Sequence, residues 1–463
     1  MWLQSLCDHL PEAAIAVLVC YGIFVFIRHL FELRCLPPGP YGLPWIGYTP
    51  AFGPSAFHQL DILHKSFGDV VCFKAFGNTV VVFNSYETLY EAAVVNRRKV
   101  GRWTLSVNDW LAQGHGISNY NTPRAVELRH ALFRHLYGHE NMIAYLSDRS
   151  ENNMLAAPIR KEINGLIREL ENSNQRPIKV MPIIRRTIWK IMWRVVFGTV
   201  CEMENEEIEH ILQQISCNNM ENTMFQASQL LPKCILPTFK YFPYIQRFFN
   251  VDRLTERYKI IHCTMQQEIT KSMAAELNPE SLLYRFTKDD KLKLTAKELH
   301  RLAFELMAAG SDTSSLTLTW AFTYLAAHPE QSSDTVTTKI MDAIHRYASV
   351  VPFGLPHIAQ EAMTVAGFHI PRRSMLIFNL YAVHQKQRST AGNVTPPIPF
   401  SLGARSCPGG RFANKLLLDI IQSVSNRFNI EAIKEDNIPH PVTRGLTRGP
   451  AENYFVFHPK MAL

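Results

Sequence analysis

Phe400-Ser401-Leu402-Gly403-Ala404-Arg405-Ser406-Cys407-Pro408-Gly409 is a turn-rich stretch that leads into a helical pattern beginning near Gly410. Its glycines and proline interrupt regular structure, so it reads as a loop that delivers a cysteine to a helix start. A cysteine there faces free backbone N–H groups and the positive end of the helix dipole, and both favour thiolate over thiol. The nine cysteines lie far apart, at 7, 20, 35, 72, 201, 217, 234, 263 and 407, with no C-x-x-C pair. That spacing argues against a disulfide framework or a structural zinc site. Cys407 is the one whose neighbours suggest chemistry.

Working outward from that loop, the clearest helix lies upstream of it. Thr295-Ala296-Lys297-Glu298 forms a capping box, and the apolar pattern it opens can run to His328, where Pro329 stops it. At 1.5 Å per residue such a helix is about 50 Å long, enough to cross a whole domain. It is apolar on most sides and is therefore expected to be buried. Yet Ala309-Gly310-Ser311-Asp312-Thr313-Ser314 places a glycine and four polar side chains inside it. Two β-rich runs, 69–76 and 79–84, flank Gly77-Asn78 and predict a hairpin with a two-residue turn. Residues 365–371 and 374–380 predict a second short β unit around Pro371-Arg372. Helical patterns dominate from the hairpin to about residue 330. The reading is one mainly α domain with small β-sheets, without internal repeats.

Phe400, Gly403, Arg405, Cys407 and Gly409 fill every fixed position of F-x-x-G-x-R-x-C-x-G. This resembles the cysteine signature of the cytochrome P450 family, and the flavour is similar to the animal microsomal type. The resemblance implies a cytochrome P450-like catalytic domain that binds haem b through its iron, with Cys407 as the axial metal ligand. A thiolate suits that task because its electron push assists O–O cleavage. It further implies that Phe400 packs beside the sulfur, that Arg405 meets a haem propionate, and that glycines such as Gly409 let the backbone pass close beneath the macrocycle. Arg129, Arg102 and His357 fall where further propionate ligands are expected. Ala309-Gly310-x-Asp312-Thr313 resembles the family's oxygen-activation motif: a threonine hydroxyl that bonds back to its helix can distort the ladder and open a groove, and Asp312 and Thr313 would relay protons. Ala309, Val351, Phe353 and Leu355 are the expected apolar substrate lining.

The chain has 463 residues, 47% hydrophobic, and a formal net charge of +8 without a long single-sign block, which gives nucleic-acid binding little support. Ala13–Ile27, reading AAIAVLVCYGIFVFI, is barely long enough to span a bilayer; Arg28, His29 and Arg34 follow it. Residues 1–35 are thus expected to be a membrane anchor and 36–463 the catalytic domain, joined by the stiff Leu36-Pro37-Pro38-Gly39-Pro40 hinge. The positive-inside rule puts the body on the cytoplasmic side, and the resemblance implies the endoplasmic reticulum. No G-x-G-x-x-G or P-loop is present, so electrons must come from a partner. The resemblance implies NADPH-cytochrome P450 reductase, with cytochrome b5 as a second candidate, and a small apolar substrate.

Three features depart from the family pattern. The glutamate expected three residues before Arg346 is Ala343, for which Asp342 is a candidate substitute at the (i, i+4) spacing. The stretches 329–341 and 379–400 are short, and the tryptophan expected four residues before Arg129 is Ala125. These departures motivate an alternative expectation, a non-catalytic or poorly haem-loaded membrane protein that keeps the fold.

Overall fold

The computed structural model describes residues 19–24, 27, 36–43, 46–51, 56–105, 109, 114–118, 120–148, 153–215, 241–248, 251–274, 278–331, 338–386, 395–433, 442–444, 446–450 and 454–460. Alternating valines and aromatics make strands β1 (Val70–Ala75) and β2 (Asn78–Phe83). Both faces are covered, so even these short strands are almost wholly buried. Val71, Phe73, Val80 and Val82 pack beneath helix α1 (Ala56–Phe67), while Val70, Cys72, Val81 and Phe83 face a second apolar layer. The register pairs Ala75 with Asn78, so the turn is Phe76-Gly77, one residue earlier than expected. Both residues have positive φ, +48° and +77°, which this tight hairpin requires; Asn78 follows and donates its side-chain amide to the Phe76 carbonyl at 3.1 Å.

Strands β3 (Val100–Arg102), β4 (His357–Ala359) and β7 (Met375–Phe378) complete a five-stranded sheet in the order β1-β2-β7-β4-β3. The expected second β unit is therefore divided. β5 (Met363–Val365) and β6 (Phe368–Ile370) form their own hairpin across Ala366-Gly367, whereas β7 lies parallel to β2. Leu376 and Phe378 are fully buried in the larger sheet, and that burial outweighs pairing with a nearby two-strand ribbon. Pro37–Pro40 is neither helix nor strand, as expected; its Pro38 carbonyl accepts from the Cys72 N–H at 2.9 Å.

The helical body is built on α2 (Pro123–Tyr137), α3 (Ala156–Glu171), α4 (Val180–Phe197), α5 (Ala296–Ala327), α6 (Thr338–Ala348), α7 (Leu380–Gln385) and α8 (Gly410–Arg427). Helix α5 starts at the expected capping box, with Thr295 and Glu298 bonding reciprocally, and ends at His328 before Pro329. It crosses the core against α4, where Gly310 matters: a Cβ there would lie 2.5 Å from Met192 Cε. Trp189, Phe197, Phe322, Leu416, Phe455 and Phe457 belong to the same apolar core.

Most of the expected anchor, including 1–18 and 28–35, lies outside the described residues. Residues 19–24 are helical and expose Val19, Tyr21, Ile23 and Phe24. Among the described residues no helix is long and apolar enough to cross a membrane.

Candidate functional site

The Phe400–Gly409 loop is held at each end of its turn. The Cys407 N–H donates to the Phe400 carbonyl at 2.8 Å, and Ser401 N–H to the Ile398 carbonyl at 3.0 Å. Gly403 has φ +76° and passes so close to Ala93 that a Cβ would meet its carbonyl oxygen at 2.0 Å. Tyr137 Oη donates to the Pro408 carbonyl at 2.6 Å, and Arg129 donates to that of Ser406. Phe400 closes against Gly410, where a Cβ would stand 2.9 Å from Phe400 Cγ. Helix α8 begins at Gly410, as expected. Cys407 opens onto the cavity, but the protein around it still desolvates its sulfur. That burial raises the thiol pKa, against the opposing pull of the Gly409 and Gly410 N–H groups and of Arg129 and Arg102. The N–H groups at the start of α8 and the two arginines favour the thiolate, and a coordinated metal ion would deprotonate the thiol outright.

Three arginines and a histidine converge beside this loop. Arg102 donates to the carbonyls of Leu355 at 2.9 Å and Arg405 at 3.0 Å, and its Nη1 lies 3.2 Å from His357 Nε2. Arg405 donates to Asn121 Oδ1 at 2.9 Å. Among the described residues no carboxylate pairs with Arg102, Arg129 or Arg405. Burial and mutual repulsion lower the guanidinium pKa of Arg102 to about 9 and that of Arg129 to about 10. Because Arg102 can only donate, His357 Nε2 accepts and its proton sits on Nδ1; this buried N–H and Arg102 Nε have no partner among the described residues. Burial, then repulsion by Arg102, keeps His357 neutral, stacked at 4.2 Å on Phe378. Buried, unmatched cations with orphaned donors fit an anionic guest such as a pair of carboxylates. Asn121, which bridges Arg102 and Arg405, gave no sequence signal beyond its place before a helix.

One cavity of about 570 Å³ is lined by all of the expected site residues: Arg102, Arg129, Asp312, Thr313, His357, Phe400, Arg405, Cys407 and Gly409. Ala309, Val351 and Leu355 also line it. Phe353 does not; it packs against the sheet cluster of Phe73, Val80 and Val82. Thr313 Oγ1 donates back to the Ala309 carbonyl at 2.7 Å, as expected, but α5 remains an uninterrupted helix. Asp312 is buried, 3.8 Å from Arg185 Nη2 on α4.

Sequence reading missed Glu305. This buried carboxylate accepts from the N–H of Ile117 at 2.8 Å, from the hydroxyl of Ser118 at 3.1 Å, and from Arg301 at 3.1 Å, so it pins a cavity-lining loop to α5. The only available signal was one acid within an otherwise apolar helical run. Gly116 makes the contact possible: its φ is +128°, and a Cβ would sit 2.2 Å from Glu305 Oε1. Gly116→Ala is expected to cost about 1–3 kcal/mol through strain at this conformation and displacement of the carboxylate. Urea unfolding of the variant measures it.

The tie below the loop also differs from expectation. Asp342 does not reach Arg346 as an ion pair among the described residues. Instead Arg346 donates to the carbonyls of His384, at 3.0 Å, and Thr395. Ala343 packs against the main core. Ala125, where tryptophan was expected, is buried against Tyr120.

Residues 37–345, two thirds of the chain, match the family model described as Cytochrome P450. Among curated proteins the chain is similar to cytochrome P450 2A9 of Mesocricetus auratus, at 24% identity over 94% of this chain and 96% of that one. It is likewise similar to cytochrome P450 1A1 of Cavia porcellus, at 22% over 94% of each. With cytochrome P450 2C8 of Homo sapiens the identity is 21%, over 95% of this chain and 97% of the relative.

Proposed function

From the premise that this chain belongs to the cytochrome P450 family, whose members bind haem iron, we propose that it is a monooxygenase that inserts one oxygen atom from O2 into a small apolar substrate, with Cys407 as axial ligand. The observation that carries this reading is the convergence of Cys407 with an acid-free cradle of Arg102, Arg129, Arg405 and His357 on one cavity. Bound haem supplies the activation of O2. Everything else falls to the protein. Cys407 offers a sulfur donor at a fixed position, and Phe400 shields the loop that carries it. The three arginines would neutralise the haem propionates and the Nδ1–H of His357 would donate to one of them, which would give the orphaned donors partners. Gly409, which lines the cavity without a side chain, would leave room there for the bound group.

Thr313, which also lines the cavity, holds its proton in a bond to Ala309 O and can release it into the cavity by a rotamer change. Asp312, held by Arg185, relays a proton from the α4 side. The apolar lining of Ala309, Val351 and Leu355 excludes water and takes up the substrate. Electrons come from NADPH-cytochrome P450 reductase, with cytochrome b5 as a second donor. Residues 1–35 anchor the chain in the endoplasmic reticulum membrane, with domain 36–463 on the cytoplasmic side. The non-catalytic alternative rested on Ala343 and on the shortened stretch before Phe400; against the first, backbone carbonyls give Arg346 the partners that the missing glutamate would have supplied.

The test is the reduced carbon monoxide spectrum of the purified chain. A strongly red-shifted Soret band is expected; an unshifted, histidine-like band rejects Cys407 as ligand. Activity is then read with reductase, NADPH and a panel of apolar substrates. Thr313→Ala is expected to leave haem content unchanged while the share of NADPH electrons lost to peroxide rises about 3-fold or more, a small part of the roughly 10²–10⁴-fold that general-acid catalysis contributes. Peroxide assay against product yield checks it; unchanged coupling would make Thr313 a packing residue.

A further inference from the structure

Helix α6 and helix α7 meet under the loop that leads to Cys407, and the side chain between them is His384. Its ring is buried. The Ile398 N–H points at Nε2 at 3.0 Å, and an amide N–H can only donate, so Nε2 accepts. The proton therefore sits on Nδ1, which donates to Ser349 Oγ at 2.7 Å; Ser349 in turn donates to the Arg346 carbonyl at 3.1 Å. Both ring nitrogens are used, and the Nε2 acceptor needs the neutral ring. Burial first, then repulsion by His345 and Arg346, lowers the His384 pKa to about 3 and keeps it neutral.

The bonds continue to the cysteine. Ile398, fixed by His384, accepts through its own carbonyl from Ser401 N–H, and Phe400, next to Ser401, accepts from the N–H of Cys407. Arg346 completes the bracket by donating to the carbonyls of His384 and Thr395, whose hydroxyl donates to Lys386 O at 2.9 Å. Ala343 removes the carboxylate that a charged tie would use, and no acid pairs with Arg346 among the described residues.

We propose that His384 is the positioning residue for the Cys407 loop: its neutral imidazole clamps Ile398 N–H to α6 and so fixes the angle at which the cysteine enters the cavity. The proposal rests on the reading of Cys407 as haem ligand. Its distinctive content is that the Ile398 bond, made by Nε2, matters more than the Ser349 bond, made by Nδ1. Gln places an acceptor near the Nε2 position, whereas Asn reaches only as far as Nδ1.

Three variants of the full chain separate the roles: His384→Leu, His384→Gln and His384→Asn. In the haem-free chain, amide exchange at Ile398 is expected to speed up by about tenfold or more in the Leu and Asn variants and to stay within about twofold of the parent in the Gln variant, because only Gln keeps the acceptor. In the haem-loaded chain, the Leu and Asn variants should convert much of the red-shifted carbon monoxide band to the unshifted form, and Gln should restore it. If Asn rescues as well as Gln, or if Leu leaves both readouts unchanged, His384 is not the clamp. If the parent chain itself shows no red-shifted band, the ligand reading fails; Ile398 exchange then still decides whether His384 clamps the loop.

Discussion

Cys407→Ala is expected to abolish the red-shifted Soret band of the reduced carbon monoxide complex, because among the described residues no other cysteine lines the cavity. Loss of an outer-shell partner of a metal site typically costs about 10–100-fold in affinity or activity, so loss of the ligand should cost more than about a hundredfold. Haem retention through gel filtration and product formation with a reductase are the measurements. Cys263→Ser serves as the control: that thiol is exposed on a surface helix, and its replacement should leave the spectrum intact. A Cys407→Ala protein that kept the shifted band would assign the iron to another residue.

The second large effect concerns Arg346. Replacing it with leucine strips charge-assisted donors from two backbone carbonyls, at His384 and Thr395. Hydrogen bonds to charged groups contribute about 1.5–3 kcal/mol each, so Arg346→Leu should lower stability by about 3 kcal/mol or more and release the chain before Cys407. Asp342→Ala should change stability by less than about 1 kcal/mol, since Asp342 makes no ion pair with Arg346 and acts on it only at longer range. Ala343→Glu should bring no gain in haem occupancy, because both Nη atoms of Arg346 are already engaged. Denaturant midpoints of the three variants decide the matter. A large loss in Asp342→Ala beside a small one in Arg346→Leu would restore the ion-pair expectation.

The parts of this protein legible in its sequence are those set by short-range preferences. Thr295 and Glu298 are three residues apart, so the capping box and the Pro329 stop fix α5 without reference to the rest of the chain. The fixed residues from Phe400 to Gly409 likewise identify the cysteine loop and the start of α8. Alternating valines mark β1 and β2, but the register that makes Phe76-Gly77 the turn depends on pairing, which shifts by one residue at little local cost.

Partner choice across long separations was not legible. Glu305 finds the Ile117 N–H 188 residues away, and His384 and Arg346 close a bracket 38 residues wide, on groups every residue carries. A backbone carbonyl or N–H has no side-chain signature, so an arginine that binds carbonyls in place of an acid looks the same in sequence as one left unpaired. β7 joins β2 because the sheet buries Leu376 and Phe378 completely, an outcome that depends on the surfaces the fold presents. The sequence thus singled out the candidate site residues, which line one cavity, and the local elements that hold them. The tertiary structure alone decided how the cysteine loop is supported, because burial makes every polar group seek a partner and only the packed chain determines which are within reach.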